Sequence, residues 1–502
     1  MKITHVDRSG APQAADLFGT LAALARDEVD DFPALRAHQR HPWHAFTVQV
    51  AALAMLQGES VTPLEDGDGW RALLHALAPP EAWELVVGDW SKPALLQPPA
   101  DIEFDQKSFA STPDQLDTLL RTSRNHDLKS SRMAAGTDED WLFSLVSVQT
   151  QDGRVGPGPG AFPISRMNGA HSARVAMSLR PAKDRPGTAF RRDLERLLKM
   201  RPQAERDAVS LGDVALVWTL PWDGSASLPF DRLDPLYIEI CRRVRLVQKD
   251  GRIEAVLANS KTARIEAKAL NGVTGDPWAP VEASGAKSWG ISSQGFGYRK
   301  MVDLLDGAKI APAPLARPDA ADGEAGLTLR AAAVARGQGK TEGFHERVVP
   351  VPSAGVGLLR RSPDRVATVA RERQERAGEA AGILRHALRV LAQGGPEKAR
   401  ADDDGTNVRI TRFERLFDRD VDAAFFGEAF WAHAAATGED AAHMAIWRAH
   451  LADMARTAFD GAVRAVPRSA MKRLRAEARA RSVLDRRLRR FRNPDAVTGT
   501  SV

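Results

Sequence analysis

Apolar positions recur with two periods along this chain, and the change from one to the other divides it. Near the start the period is helical. Leu17, Leu21 and Leu24 share one side of a helix over residues 16–25, and residues 46–56, FTVQVAALAML, are apolar nearly all round, as a buried helix is. Trp70, Trp83 and Trp90 fall among short helical segments and read as core anchors. Residues 113–120 predict another helix, and residues 138–149, DEDWLFSLVSVQ, a further one with acidic residues at its start. The pattern then shortens. Residues 171–179 and 214–220 read as short strands, and 236–247 as a β-branched strand leading to a Lys249-Asp250-Gly251 turn. Residues 313–324, rich in alanine, proline and aspartate, read as a loosely held linker. From Pro363 the helical period returns over 363–392, stopped by Gly394-Gly395-Pro396, and again over 409–434, 440–463 and 468–491. Phe413, Leu416 and Phe417, or Ile446, Leu451 and Met454, give these helices a face to bury. The expected fold is therefore α+β: a large mixed α/β domain over residues 1–360, then a four-helix bundle over 361–502.

Composition narrows the chemistry. Of 502 residues, 43% are hydrophobic and 27% charged, ordinary values for a water-soluble globular protein. Cys241 is the only cysteine, which excludes intramolecular disulfides and thiolate zinc sites and suits the cytoplasm. Residues 1–12 are polar and no apolar run approaches a membrane span, so neither a signal peptide nor a membrane partner is expected. His38, His41 and His44 recur every third residue, but Pro42 interrupts them, and a loop entering a helix is the reading rather than a metal site. The acidic run Asp402-Asp403-Asp404 lacks calcium-loop spacing and reads as a linker.

The net charge is only +5, but it is unevenly placed. Residues 468–492 carry ten arginines and one lysine against Glu477 and Asp485, a net of about +9. A solvated helix mixes its signs, so this density points to phosphate contact without sequence specificity. Two loops carry similar chemistry. Residues 121–132 hold Arg124, Asn125, His126, Lys129 and Arg132, and read either as a solvated connector or as a contact to a nucleic-acid backbone, where these residue types dominate. Residues 150–163 include Gly156, Gly158 and Gly160 alternating with prolines, where glycine lets a backbone come close to a groove.

The stretch 331–352, AAAVARGQGKTEGFHERVVPVP, combines these features. A small apolar run over 331–335 predicts a buried strand, and Gly337 and Gly339 flank Gln338 in a tight polar tip surrounded by Arg336, Lys340, His345 and Arg347. Gly-Lys-Thr suggests a phosphate-binding loop, but that motif needs a glycine where Val334 stands and a helix after Thr341, and no helical period follows.

Gly-Gln-Gly-Lys-Thr-Glu-Gly-Phe-His-Glu-Arg-Val-Val-Pro-Val-Pro resembles the segment that carries the glutamine wedge in CasA, the large subunit of the type I-E CRISPR Cascade surveillance complex. Arg412-Phe413-Glu414-Arg415-Leu416-Phe417 is similar to the bundle motif of that family, and the order of mixed domain then bundle is the same. The resemblance implies a non-catalytic subunit without cofactor or metal. Its partners would be guide RNA (crRNA), double-stranded target DNA, the backbone, 5′-handle cap and small Cascade subunits, and a helicase–nuclease. Arg124, Asn125, His126, Lys129 and Arg132 would meet the guide RNA. Gly156, Gly158, Gly160 and Lys268, with Lys261 in reserve, would test the protospacer-adjacent motif (PAM) from the minor groove. Gln338, between Gly337 and Gly339, would wedge the duplex open. The alternatives are a general nucleic-acid-binding protein without motif preference and a nucleotide-dependent enzyme using Lys340.

Overall fold

The computed structural model describes the chain except for residues 61, 101–103, 105–106, 118, 120–135, 152–174, 208–211, 323–324, 338–339, 397–398, 466–469 and 494–502. It is a mixed helix-and-sheet fold with a helical C-terminal part, and it divides into two compact units. One comprises Met1–Phe296 and Ala308–Val349, the other Gly297–Gly307 and Pro350–Val502.

In chain order the first unit begins with strands β1 (Ile3–Asp7) and β2 (Pro12–Ala15), helix α1 (Leu17–Ala25), β3 (Val29–Asp31), and helices α2 (Ala37–Gln57) and α3 (Gly67–Leu77). It continues through β4 (Lys107–Ala110), α4 (Asp138–Gln151), β5 (Ala176–Pro181), α5 (Pro186–Asp207), β6 (Val214–Leu216), β7 (Leu228–Pro229) and β8 (Leu233–Ile238). Next come β9 (Arg243–Lys249), β10 (Arg252–Ala258), β11 (Ile265–Glu266), β12 (Val281–Glu282), β13 (Ile310–Ala311), β14 (Leu327–Gly337) and β15 (Lys340–Val351). Among the described residues, three three-stranded sheets, in the orders β2-β1-β3, β4-β10-β9 and β15-β14-β5, are accompanied by three two-stranded pairings.

The centre of this unit is α2, which packs against α3, α4 and α5 and touches β14. Val48, Val50, Ala51, Ala52, Ala54 and Met55 are all fully buried. The structure extends this helix back through His38, His41, Pro42 and His44, where a loop was expected. Pro42 removes one backbone bond near the helix start. Buried contacts of His38 to Asp117 and of His44 to Asp193 hold the turn regardless.

Other differences have similar causes. Over 113–120 the described residues form a 3₁₀ turn, Pro113–Gln115. After β6 the chain coils into the 3₁₀ turn Val217–Thr219, which turns Trp218 into the core with its Nε1 donating to the Ala82 carbonyl at 3.2 Å. The 236–247 run is broken between β8 and β9, while the Asp250-Gly251 turn (φ 49° and 76°) joins β9 to β10 as the sequence predicts. The expected linker is held rather than loose over its described residues 313–322. Leu315 is fully buried, and Arg192 binds Asp322 at 2.6 Å and the Leu315 carbonyl at 3.2 Å.

The second unit comprises α6 (Tyr298–Leu305), α7 (Ser353–Arg361), α8 (Pro363–Ala392), α9 (Asp404–Phe425), α10 (Glu428–Ala435), α11 (Asp440–Ala465) and α12 (Ala470–Arg492). Four long helices make the bundle, with α8 packed on α9, α11 and α12. Its alanines at 377, 380 and 387 let the neighbours approach. The acidic run at 402–404 proves to be a helix start, because Asp403 caps α9 by accepting from the Thr406 amide. The expected helix over 409–434 breaks at Phe426-Gly427, and Ile446 points outward, 64% exposed.

Arg373 on α8 is buried in this core. Its guanidinium lies 4.0 Å from the Trp447 ring centroid and within 6 Å of the Phe425 and Phe430 centroids, and Trp447 Nε1 donates to the Arg373 carbonyl at 3.1 Å. Burial lowers its pKa to about 10, so it stays charged at neutral pH. Arg373→Ala should cost about 2–4 kcal/mol in denaturant unfolding, through the cavity and the lost cation–π contacts, whereas Arg373→Met should cost less than half of that.

Candidate nucleic-acid interface

Strand β14 roots the site. Ala331, Ala332, Ala333, Val334 and Ala335 are all buried, as the small apolar run predicts. Its register with β5 runs from Leu327 opposite Pro181 to Ala332 opposite Ala176, antiparallel. There β5 begins, while β14 runs on for five residues to Gly337, about 17 Å at strand rise. Strand β15 starts at Lys340, so Gln338 and Gly339 occupy the two positions between the strands and lie outside the described residues. Two positions is the length of a tight hairpin connection. Because Lys340 and Thr341 open a strand rather than a helix, the segment lacks the helix N-terminus on which a phosphate-binding loop depends.

The antiparallel register sets a second relation. The N-terminal end of β5 lies at the same end of the sheet as the C-terminal end of β14. Gly156, Gly158 and Gly160 are outside the described residues, but the segment that carries them re-enters the fold at Val175-Ala176, opposite Ala332. At its other end this segment leaves α4, whose Gln149 is fully buried. Gln149 Nε2 donates to the Leu96 and Arg242 carbonyls at 2.8 and 3.0 Å, and Oε1 accepts from the Cys241 and Arg242 amides. These bonds fill the break between β8 and β9.

Helix α4 also anchors the other loop. Arg124, Asn125, His126, Lys129 and Arg132 lie outside the described residues, between Asp117 and the start of α4. Thr137 and Asp140 form a reciprocal cap there: Thr137 N donates to Asp140 Oδ2 at 2.9 Å, and Asp140 N to Thr137 Oγ1 at 3.3 Å. The two candidate segments thus adjoin opposite ends of one 14-residue helix, about 21 Å long.

Lys268 opens a 3₁₀ turn, Lys268–Leu270, closed by Asn271 in the left-handed region. It is exposed, as is Lys261. The chain it precedes is stitched to the same sheet, since Met177 N on β5 donates to the Trp278 carbonyl at 2.8 Å.

Sequence reasoning missed the residues that brace the hairpin. Arg330 Nε donates to Glu346 across the two strands at 2.8 Å, and its Nη1 to Asp184 at 2.9 Å. His345 closes over Gly295, whose φ of +66° and lack of a Cβ leave room for the imidazole. None of these pairings follows a helical or strand period, so only the fold reveals them.

Beneath the sheet, His44 Nε2 lies 2.8 Å from Asp193 Oδ2, and Trp278 Nε1 donates to the same oxygen at 3.2 Å. Burial lowers the His44 pKa, helped by the Arg180 charge and opposed by Asp193. Burial alone would raise the Asp193 carboxyl, but His44 and the neighbouring arginines outweigh it and hold it below its ordinary range.

In α12, Ala476, Ala480, Leu484, Leu488 and Phe491 face inward. Some of its charge serves the bundle: Arg481 pairs with Asp460 at 2.8 Å, Arg479 donates to the Gly395 carbonyl at 2.9 Å, and Asp485 meets Arg456 at 3.4 Å. Lys472, Arg473, Arg475, Arg486, Arg487 and Arg490 are exposed.

This architecture is that of CRISPR-associated proteins of known structure. The fold matches a CRISPR-associated protein from Thermus thermophilus with a TM-score of 0.67 at 16% identity, covering 97% of this chain and 98% of that one. It matches Cse1 from Acidimicrobium ferrooxidans (TM-score 0.65, 14% identity) and from Thermobifida fusca (0.65, 15%), each over 97% of both chains. No curated protein sequence matches the chain. Residues 227–479 match the family of CRISPR-associated protein Cse1. The chain belongs to this Cse1, or CasA, family, the large subunits of type I-E Cascade. Among the described residues no helix is long and apolar enough to cross a membrane.

Neutral His44, beside the ionised Asp193, makes the fold sensitive to acid. A histidine whose folded pKa lies below its unfolded value of 6.5 gives stability that is complete above pH 6.5 and is lost as pH falls below it. Thermal unfolding midpoints should therefore drop between pH 7 and pH 5, and His44→Asn should lower the midpoint at pH 7 while flattening that slope.

Proposed function

We propose that this chain is the non-catalytic Cascade subunit that reads the PAM and starts strand opening. The observation that carries this reading is the hairpin β14–β15. It runs five residues beyond β5 with Gln338-Gly339 between its strands, at the sheet end where the glycine–proline segment returns. In this reading residues 1–360 do the recognition. Gly156, Gly158, Gly160 and Lys268 test the minor groove, whose degenerate pattern makes motif reading tolerant. Gln338, flanked by Gly337 and Gly339, enters beside the PAM and displaces the first base pair, at an unstacking cost of roughly a few kcal/mol. Arg124, Asn125, His126, Lys129 and Arg132 hold the guide RNA, which then reads sequence by pairing. Residues 361–502 hold displaced or flanking DNA through α12. The remaining Cascade subunits and a recruited helicase–nuclease complete the partners, in the cytoplasm.

The test is DNA binding by the guide-loaded complex on matched targets scanned through all PAM sequences. Gln338→Ala should bind closed duplex at least about tenfold more weakly and pre-opened bubbles normally. Equal loss on both substrates would mean an assembly defect, and no loss on either would remove Gln338 from the opening step.

The exposed arginines of α12 favour a second reading, general nucleic-acid binding. It predicts duplex affinity with a steep salt dependence and no PAM preference. If α12 grips phosphates, Arg486→Gln/Arg490→Gln should weaken binding evenly across sequences. The salt slope should then fall by about one to two units, measured by titration from 50 to 200 mM salt.

A further inference from the structure

One histidine lies between the two candidate nucleic-acid elements of the first unit. His38 Nε2 is 2.8 and 2.9 Å from the two carboxylate oxygens of Asp117, and both side chains are almost fully buried. Asp117 also accepts from Gln39 Nε2 at 3.0 Å, Arg36 Nη1 at 3.1 Å and the Leu119 amide at 2.9 Å. It therefore fixes the point from which the chain sets out towards Arg124–Arg132. On its other side the His38 ring meets Phe344 of β15 edge to face, with centroids 6.4 Å apart and planes at 60°. Phe344 lies four residues along β15 from Lys340, about 13 Å at strand rise from the start of that strand.

We propose that His38 is a positioning residue that couples the root of the 120–135 segment, through Asp117, to the hairpin that carries Gln338, through Phe344. The proposal rests on the wedge reading of that hairpin and adds to it. Asp117, held by Arg36, Gln39 and the Leu119 amide, fixes the imidazole, and the imidazole edge limits where the outer strand can sit. The physical chain is short: one Nε2–H shared between the two Asp117 oxygens and one aromatic contact. An aromatic contact of this kind contributes about 0.5–1.5 kcal/mol, so its loss should be read as about a two- to tenfold effect. The Asp117 bonds add to this through His38 alone. Sequence spacing could not show the link, because residues 38, 117 and 344 belong to three distant segments.

The test uses the guide-loaded complex containing full-length chain, on closed duplex and on pre-opened bubble targets, with His38→Ala, His38→Gln, Phe344→Leu and the His38→Ala/Phe344→Leu double variant. Phe344→Leu keeps an apolar side chain at a half-buried position, and His38→Gln keeps a donor for Asp117, so neither removes a buried partner outright. Phe344→Leu should weaken closed-duplex binding about fivefold and His38→Ala about tenfold, with bubble binding within about twofold of wild type. His38→Gln should fall between wild type and His38→Ala. The double variant should be no weaker than His38→Ala alone, because both changes break one path. Multiplying losses in the double variant, equal losses on bubble and duplex, or no loss at all would overturn the coupling. Gln338→Ala is run beside them. If it discriminates between duplex and bubble while the His38 and Phe344 variants do not, the coupling fails and the wedge stands. If Gln338→Ala does not discriminate, the wedge reading itself falls, and the proposal with it.

Discussion

The first unit depends on a helix buried with polar side chains still attached. Along α2, His38, Gln39, His44 and Gln49 lie in the core, and a buried polar group without a partner costs about 1–3 kcal/mol. Each must therefore find a specific partner. His38 and Gln39 bond Asp117, His44 bonds Asp193, and Gln49 donates to the Leu236 and Tyr237 carbonyls. Apolar packing alone would accept several registers of the neighbouring segments. These bonds accept one, and so α2 sets where the 113–119 turn, α5 and β8 sit around it. Gln149 does the same work from α4, and the two loops that carry the candidate contacts leave from ends fixed in this way.

How far the sequence could be read follows from the kind of signal each element leaves. Residues 363–392 coincide with α8 because a proline start, a sustained helical period and a double-glycine stop all act locally. The Asp250-Gly251 turn and the strand over 331–335 were legible for the same reason. His38 to His44 were not, because Pro42 argues locally for a break while bonds to residues 117 and 193 argue against it from a distance. The same holds for 313–324, whose composition is that of a linker but whose Asp322 meets Arg192 from α5. The candidate site shows the same division. The tip, the basic segment and the glycine segment stand out as candidates by residue type and their roles rest on the proposal, whereas the partners of Arg330, Glu346, Asp184 and His38 emerge only through the fold.

Charge is likewise less simple than its count. The net of about +9 over residues 468–492 suggests a surface given wholly to polyanions, but a helix in a bundle has neighbours to satisfy first. Arg479 and Arg481 are taken up by the Gly395 carbonyl and by Asp460, and Asp485 is held by Arg456 from α11. In the proposed contact with DNA, what is left for a phosphate backbone is the outer row from Lys472 to Arg490, roughly half of the charge. Such a row gives affinity and salt dependence, while any sequence preference has to come from elsewhere on the chain.

The wedge proposed for the β14–β15 hairpin has a mechanical requirement. An element that parts a base pair must give way less readily than the stack it enters, and unstacking a step costs a few kcal/mol. A two-stranded hairpin standing alone in water is marginally stable at best. For that role the root is well placed: β14 is a central strand, paired with β5 over Leu327–Ala332, and its burial continues past β5 to Ala335. Arg330 then ties β15 back to β14 and to Asp184 just after β5, and Phe344 rests on a histidine held by a buried carboxylate. The small side chains of β14 are part of the same solution, since they let α2 approach the strand closely. A polar, glycine-rich connection between the strands is compatible with the proposed wedge because the stiffness that role needs is supplied at the root.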